Sequence, residues 1–206
     1  MVTPNRGLPD SASRSRVLEA TGRLMKLEHG RLRLGHESGG RPRLTGLGDG
    51  VHVSLSHGRG YAALGFTTLA PLGVDVEVVR PVPAERLADR WFTSEEAAWV
   101  RSRRKRDRAH AFFWLWTQKE AMGKAIGSGL ADGGLLRPAT LPRSRFRPSP
   151  AHPLPARPGA DRPTVAVRHV RPGVLLAVAV LGRHSRLPPV DVRCQDDEPS
   201  SGGSAA

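Results

Sequence analysis

The sequence is poor in cysteine, in aromatic residues and in acidic residues, and it has no long apolar run. Of its 206 residues one is cysteine, 5% are aromatic, and 19 are Asp or Glu against 32 Lys or Arg. A single cysteine excludes a disulfide framework and a four-thiolate zinc site. The longest apolar run, 174–181, is too short to cross a bilayer, so we expect no membrane partner.

The first residues lack the apolar stretch of a secretory signal, which predicts a cytoplasmic protein. The net charge of +13 favours acidic or polyanionic partners. Nucleic-acid binding is one alternative that this charge admits, with the basic stretch 101–108 as its candidate surface. The chain offers few aromatic side chains to stack on bases and no recognition motif, so we expect no nucleic-acid partner.

The sequence patterns mix helices and strands without regular βαβ alternation, which predicts an α+β fold. Helical spacing of apolar residues predicts helices over 14–28, 84–91, 94–102 and 107–126. Alternating or valine-rich runs predict two strands within 51–66 joined by a turn at 58–60, a strand over 72–79, and a hairpin of 164–171 with 174–182. We expect flexible tails at 1–13 and 195–206, and an unpacked, Pro/Arg-rich insertion at 137–163.

Two carboxylates stand in the valine-rich strand 72–79. Side chains alternate faces along a strand, so Asp75 and Glu77 emerge on one face, about 7 Å apart. They repel each other unless water or a cation lies between them. The strand is therefore either half-solvated, which is the commoner case, or part of a site for a divalent cation with oxygen ligands, such as Mg²⁺.

The helix over 107–126 carries charged residues at the margin of its apolar stripe. Glu120 and Lys124 stand one turn apart and lie side by side. As an exposed ion pair they would contribute about 0.3–0.5 kcal/mol, whereas in a site they supply a third carboxylate and an ammonium for phosphate. Lys119 falls inside the stripe, where an ammonium must reach water or find an anion.

Two further segments carry groups that suit an anion. The strand over 53–58 ends in Ser56, His57 and glycine, and hydroxyl and imidazole groups bind oxyanions such as phosphate. A Ser/His hydrolase is a rival interpretation, but G-x-S-x-G is absent and adjacent side chains diverge on a strand. Arg41 and Arg43 flank Pro42 in a turn, where they suit phosphate or a base, or form an ordinary arginine-rich loop.

In their order along the chain, these motifs resemble the 4'-phosphopantetheinyl transferase superfamily, of the Sfp type that activates peptide and polyketide synthases. The most specific segments are Gly-Val-Asp-Val-Glu at 73–77 and Trp-Thr-Gln-Lys-Glu-Ala at 116–121, followed by Lys124. Further similarity lies at 40–42, 54–57, 92–96 and 124–130, and the whole resemblance covers about 14–182.

The resemblance implies two similar, pseudo-symmetric α+β halves in one chain, with coenzyme A in the cleft between them. The N-terminal half would be 14–72, shortened and on the adenosine side. The C-terminal half would be 73–185 and would carry the metal. Since one chain then supplies both walls of the cleft, a monomer is expected.

The resemblance also implies a set of site residues. Asp75, Glu77 and Glu120 would hold Mg²⁺, and Asp75, Glu120 and Lys124 would be the catalytic residues. Coenzyme A would contact Arg41, Arg43, Ser56, His57, Lys119 and Lys124. Glu96 is a weaker candidate, because a helix cap with Thr93 explains it equally well.

The implied activity is transfer of 4'-phosphopantetheine from coenzyme A to a serine of an apo acyl or peptidyl carrier protein, releasing 3',5'-adenosine bisphosphate. Glu120 or a water on the metal would accept the serine proton, and both remain open. Arg103 and Arg104 border the active-site helix and would attract an acidic carrier surface. The alternatives are a non-catalytic relative that binds coenzyme A or a carrier, a nucleic-acid-binding protein, and a Mg²⁺-dependent nucleotide hydrolase.

Overall fold

The computed structural model describes residues 2–4, 10–28, 30–36, 42–46, 50–130, 133–141, 163–182 and 190–194. The helices of this part are α1 (Asp10–Leu24), α2 (Ala84–Trp91), α3 (Ser94–Arg101) and α4 (Arg108–Ile126). The strands are β1 (Val2–Pro4), β2 (Arg33–His36), β3 (Pro42–Thr45), β4 (His52–Gly58), β5 (Tyr61–Thr67), β6 (Leu72–Val78), β7 (Thr164–Arg171) and β8 (Val174–Val180). Helices and antiparallel strands share one chain, so the predicted α+β class is confirmed.

The described strands form three antiparallel sheets, ordered β1-β5-β4, β2-β3 and β6-β8-β7. The turn between β4 and β5 has positive φ at Arg59 (36°) and Gly60 (89°). Two consecutive residues with positive φ are typical of the two-residue hairpin turn whose twist matches its strands. This turn lies inside the predicted segment 58–60. In the last sheet, β8 is central, and Asp75 of β6 pairs with Ala177.

The core has three apolar clusters that layer the elements. One packs α2, α3 and α4 on one face of the β6-β8-β7 sheet. A second fills the other face of that sheet, against β1 and β5, and a third lies under α1 beside β2 to β5. A cavity of about 340 Å³ between the two larger sheets is lined mainly by apolar residues and borders Val74, on the opposite face of β6 from Asp75.

The helices α2 to α4 lie within one residue of their predicted bounds. Strong local signals explain this agreement: Thr93 and Glu96 form the capping box, and Gly127 ends α4 with φ of 91°. The first helix differs, since it begins at Asp10 and ends at Leu24. Lys26 has φ of 54°, a left-handed residue that no glycine marks in the sequence.

The prediction of a flexible leader over 1–13 is wrong for β1 and for the start of α1. Val2 is buried, its amide donates to the Arg193 carbonyl at 2.9 Å, and β1 pairs with β5. Local proline and glycine favoured a loop, but long-range pairing decides the structure here. At the C-terminal side, 195–206 and 142–162 lie outside the described residues. The likeness of the two halves and their boundaries remain predictions.

The start of the predicted insertion, 137–141, differs from an unpacked loop. The Ala139 amide donates to Glu96 Oε1 at 2.6 Å, and the Thr140 amide donates to Gln118 Oε1 at 3.3 Å. Within the described ranges, no helix is both long and apolar enough to cross a membrane.

Candidate active site

At Gly73, the backbone of β6 lies very close to that of α4. A Cβ at this position would lie 1.9 Å from the Ala121 carbonyl oxygen and 2.6 Å from the Ala125 amide nitrogen. Real side chains do not tolerate such distances, so only glycine lets the strand lie this near the helix. The contact brings the strand that carries Asp75 and Glu77 against the helix that carries Glu120 and Lys124.

Two serine hydroxyls join β4 to β6. The Val74 amide donates to Ser54 Oγ at 2.9 Å, and the Val76 amide donates to Ser56 Oγ at 3.2 Å. The Ser56 hydroxyl in turn donates to Asp75 Oδ1 at 2.8 Å. The edge of one sheet is thus held to the other by side chains rather than by a backbone ladder.

Asp75 lies at the centre of the candidate site. Lys124 Nζ donates to Asp75 Oδ1 at 2.7 Å and to the Val74 carbonyl at 3.1 Å. Asp75 is only 5% exposed, so the interpretation of the strand as half-solvated is wrong at this residue. Its Oδ2 atom is buried and has no hydrogen-bond partner among the described residues. A buried carboxylate oxygen in that state is costly unless a cation or donor satisfies it.

Glu77 is held at the end of β6. Arg80 donates from Nη1 to Glu77 Oε2 at 3.0 Å, and Trp116 on α4 also hydrogen-bonds this carboxylate. Burial raises the pKa of Glu77 above its usual range, and the nearby charge of Asp75 adds to that effect. The hydrogen bonds of Arg80 and Trp116 oppose it by favouring the ionised form.

Glu120 shares the electrostatic environment of the strand carboxylates. The pKa of Glu120 is raised to about 7, mainly by burial and also by the charges of Asp75 and Glu77, while Lys124 opposes the shift. A carboxyl group with such a pKa can both take up and release a proton near neutral pH.

The donor set suits Mg²⁺, although these side chains are not arranged around a cation. Among the residues that the structure describes, no group of three or more His, Cys, Asp or Glu side chains could hold a metal ion. Lys124 and Ser56 contact one oxygen of Asp75, and Arg80 contacts one oxygen of Glu77. Three carboxylates supply the oxygen ligands that Mg²⁺ prefers, and the buried Asp75 Oδ2 lacks the partner that a cation would provide. Shared binding by all three remains a proposal and requires their side chains to reorient.

The other predicted binding residues do not all meet at Asp75. Ser56 does, but His57 follows it on the opposite face of β4 and is exposed. Arg43 is exposed on β3. Arg41 lies outside the described residues.

Lys119 is far from solvent, in a different environment from the predicted one. It has no exposed surface, and its Nζ lies 2.8 Å from Glu96 Oε2 and donates to the Arg137 carbonyl at 2.7 Å. Burial lowers the pKa of Lys119, and the carboxylate of Glu96 opposes that effect. The lysine has the anion that its place in the apolar stripe requires. That anion is Glu96 rather than a phosphate of coenzyme A.

Glu96 therefore has two structural tasks besides the hydrogen bond that it accepts from the Ala139 amide. Its side chain accepts from the Thr93 amide at 2.9 Å, which completes the capping box of α3, and it also pairs with Lys119. These partners account for the burial of Glu96 without a ligand.

Three residues of the site were not identified from the sequence. Ser54 could have been found, because it shares a strand face with Ser56 by alternation. Arg80 follows the end of β6, and Trp116 was identified only as part of the apolar stripe and of the motif at 116–121. Neither residue gave a local signal of contact with Glu77.

The comparisons with known proteins match the segment that carries these residues. Residues 71–152 match the model of the 4'-phosphopantetheinyl transferase superfamily. The chain is similar to this superfamily over that segment, which is less than half of its length. Among curated relatives, it is 33% identical over 127 residues to the 4'-phosphopantetheinyl transferase HetI of Nostoc sp., which covers 59% of this chain and 52% of the relative.

Two further 4'-phosphopantetheinyl transferases also match this chain over only part of their length. Identity to Sfp of Bacillus subtilis is 28% over 115 residues, or 56% of this chain and 50% of the relative. Identity to gsp of Aneurinibacillus migulanus is 30% over 80 residues, or 39% of this chain and 33% of the relative. The chain thus spans about half the length, or less, of these relatives. The superfamily match contains β6 and α4 and so includes Asp75, Glu77, Glu120 and Lys124.

Proposed function

We propose that the protein is an enzyme that transfers the 4'-phosphopantetheine group of coenzyme A to a serine of an apo acyl or peptidyl carrier protein. The observation that carries this proposal is the cluster of the buried Asp75 and Ser56 with the partly buried Lys124, which lies beside Glu120. The superfamily match covers three of these four residues, all but Ser56. Curated relatives that bear the name 4'-phosphopantetheinyl transferase support the same activity.

Asp75, Glu77 and Glu120 would hold Mg²⁺ in this enzyme. The ion, when bound, neutralises charge on the phosphate oxygens. The protein's own part is to keep Glu120 within electrostatic reach of Asp75 and Glu77, where the mutual repulsion of the carboxylates would favour a cation. The buried Oδ2 atom of Asp75 is the strongest sign of that demand.

The remaining chemistry is carried by charge and by one proton transfer. The serine oxygen of the carrier bonds to the β-phosphorus of coenzyme A, and the bond from that phosphorus to the oxygen of 3',5'-adenosine bisphosphate breaks. Lys124, whose side chain is 28% exposed, would stabilise the phosphate oxygens during this exchange. Glu120, with a pKa of about 7, would accept the serine proton. Ser56 keeps Asp75 in place from the other sheet.

The test is an intact-mass measurement. The protein is incubated with Mg²⁺, coenzyme A and an apo acyl or apo peptidyl carrier protein, and we expect the carrier to gain one phosphopantetheine group. Asp75→Asn keeps the shape of the side chain and should reduce the rate at least about 100-fold, since it removes a charge that the reaction uses. Asp89→Asn is the matched control, because Asp89 is half-exposed in a surface ion pair with Arg101. If neither type of carrier gains mass with the wild-type protein, the proposal is wrong.

The proposed carrier partner is acidic, in keeping with the charge of +13. Arg104 is exposed just before the turn that leads into α4, while Arg103 lies over the Trp99 ring, 5.1 Å from its centroid. Arg104→Glu should raise the KM for the carrier about tenfold at low salt and leave the KM for coenzyme A unchanged, because long-range attraction steers the encounter. Arg23→Glu, an exposed charge on α1, is the control. Equal changes in both KM values for Arg104→Glu would contradict steering.

A cytoplasmic location and a monomeric state remain predictions. The second is checked by light scattering of the purified chain.

A further inference from the structure

Arg80 is fixed on three sides at the end of β6. Its Nη1 donates to Glu77 Oε2 at 3.0 Å and to the Val78 carbonyl at 3.1 Å. The guanidinium carbon lies 4.4 Å from the centroid of the Phe113 ring, and Phe113 on α4 is 2% exposed. An arginine with a carboxylate, a carbonyl and an aromatic face as partners has little rotational freedom left.

The ion pair is too sheltered to be an ordinary surface contact. The side chains of Arg80 and Glu77 are 30% and 19% exposed, so solvent screens their attraction only in part. The contact uses one of the two oxygens of Glu77. This contact constrains the Glu77 carboxylate, whose other oxygen, Oε1, is not bound by Arg80.

We propose that Arg80 is a positioning residue, which restricts the orientations open to the Glu77 carboxylate, so that less freedom is lost when its other oxygen turns to a cation held with Asp75 and Glu120. This inference rests on the proposed function, because Glu77 is a metal ligand only within it. Groups that hydrogen-bond metal ligands from behind commonly change metal affinity about 10- to 100-fold when they are removed. Arg80 is such a group, and its stack on Phe113 connects the ligand on β6 to the helix that carries Glu120.

The experiment measures binding of Mn²⁺, the paramagnetic substitute for Mg²⁺, to the purified full chain by electron paramagnetic resonance. Arg80→Met removes the donor and the charge but keeps an unbranched apolar stem. We expect it to weaken Mn²⁺ binding about tenfold or more. In the transfer assay the Mg²⁺ concentration for half-maximal rate should rise similarly, while kcat at saturating Mg²⁺ changes less than about twofold.

Arg86→Met is the matched control. Arg86 is exposed on α2 and borders the same cavity of about 610 Å³ as Arg80, so it reports the loss of one nearby positive charge. Arg80→Lys keeps the charge but not the planar guanidinium, and we expect its Mn²⁺ affinity to lie between those of wild type and Arg80→Met. If Arg80→Met does not fold, Arg80→Lys is compared with Arg86→Lys, and a loss of about threefold or more supports positioning.

Three results separate this inference from the function on which it rests. If wild type binds Mn²⁺ and the Arg80 and Arg86 variants bind it equally well, or Arg80→Met binds it more tightly, the positioning role is overturned and the metal site stands. If wild type does not bind Mn²⁺ at all, the metal site is wrong and Arg80 loses its role with it. If Mn²⁺ binding responds to Arg80 while no carrier gains mass, positioning stands and the transferase proposal does not.

Discussion

At the scale of single residues, the two lysines of α4 have opposite circumstances. Lys124 is 28% exposed on the side chain and pairs with Asp75 in the candidate site, whereas Lys119 is buried and pairs with Glu96. From the sequence, both lysines were predicted to contact coenzyme A. The 3.6 residues per turn of an α-helix explain the difference, because two residues five positions apart point in different directions. Only Lys124 lies on the face toward β6.

Lys119 and Glu96 give a stability prediction. Lys119→Met should lower the free energy of unfolding by about 3–5 kcal/mol, because it leaves a buried carboxylate without its partner. The double variant Lys119→Met, Glu96→Gln should recover part of that loss. Urea unfolding followed by circular dichroism measures both.

A contrary outcome would restore Lys119 as a ligand. If Lys119→Met keeps wild-type stability and instead raises the KM for coenzyme A, the stabilising role of the Lys119–Glu96 pair is wrong. The pairing itself was not predictable from local sequence, because Glu96 and Lys119 meet only when α3 packs beside α4. The alternation that placed Asp75 and Glu77 on one strand face needed no such long-range information.

At the scale of elements, the packing of β6 on α4 decides whether the site exists. Gly73→Ala places a Cβ against the Ala121 carbonyl and must push the helix away from the strand. We expect a loss of about 3 kcal/mol in the free energy of unfolding, together with most of the transfer activity. Thermal unfolding and the intact-mass assay measure the two effects.

Gly35→Ala is the control for this prediction. Gly35 lies on β2, and a Cβ there would meet no atom within 4 Å. Its stability should change by less than about 0.5 kcal/mol. Gly73→Ala with the stability of Gly35→Ala would show that β6 and α4 do not need their close approach.

The elements that the sequence predicts well are those whose ends carry local capping signals. A capping box begins α3 and a left-handed glycine ends α4, so both bounds could be read from the chain. The short strand β1 lacks such signals and forms because β5 offers it a partner. Neither the pairing of β8 between β6 and β7 nor the serine links from β4 follow from any local pattern.

At the scale of the whole molecule, a histidine pair ties the start of α4 to the C-terminal hairpin. Nε2 of His110 lies 3.1 Å from Nε2 of His169, and the ring centroids are 4.9 Å apart. One imidazole donates and the other accepts, so a second proton would break the bond. The pKa of His110 is lowered to about 4, mainly by burial and also by the neighbouring His169, while Asp107 opposes the shift.

This pair predicts a loss of stability in mild acid. Since the folded pKa of His110 lies below its unfolded value of about 6.5, its contribution is complete above pH 6.5 and disappears as the pH falls toward 4. We expect the His110 contribution to fall by on the order of 1–3 kcal/mol over that interval. The raised pKa of Glu120 acts in the opposite direction, because its carboxyl binds a proton more readily in the folded state, so the His110 contribution is obtained as the difference between wild type and His110→Phe. Chemical unfolding at pH 7.5 and at pH 4.5 measures it.

His110→Phe should reduce this pH dependence, because it removes the titrating ring and keeps an aromatic side chain beside Trp114. His52→Phe, on β4 in the other larger sheet, should leave the dependence as in wild type. An unchanged slope in His110→Phe would assign the acid sensitivity to other groups.

The serine bridge between the two larger sheets has a consequence for how the molecule responds to ligands. One hydroxyl of Ser56 accepts from the backbone of β6 and donates to the carboxylate of Asp75. The spacing of the two sheets is therefore coupled to the availability of that carboxylate for a ligand. Because such coupling is reciprocal, a ligand that binds Asp75 changes the spacing of the sheets, and a change in that spacing alters the affinity for a ligand at Asp75.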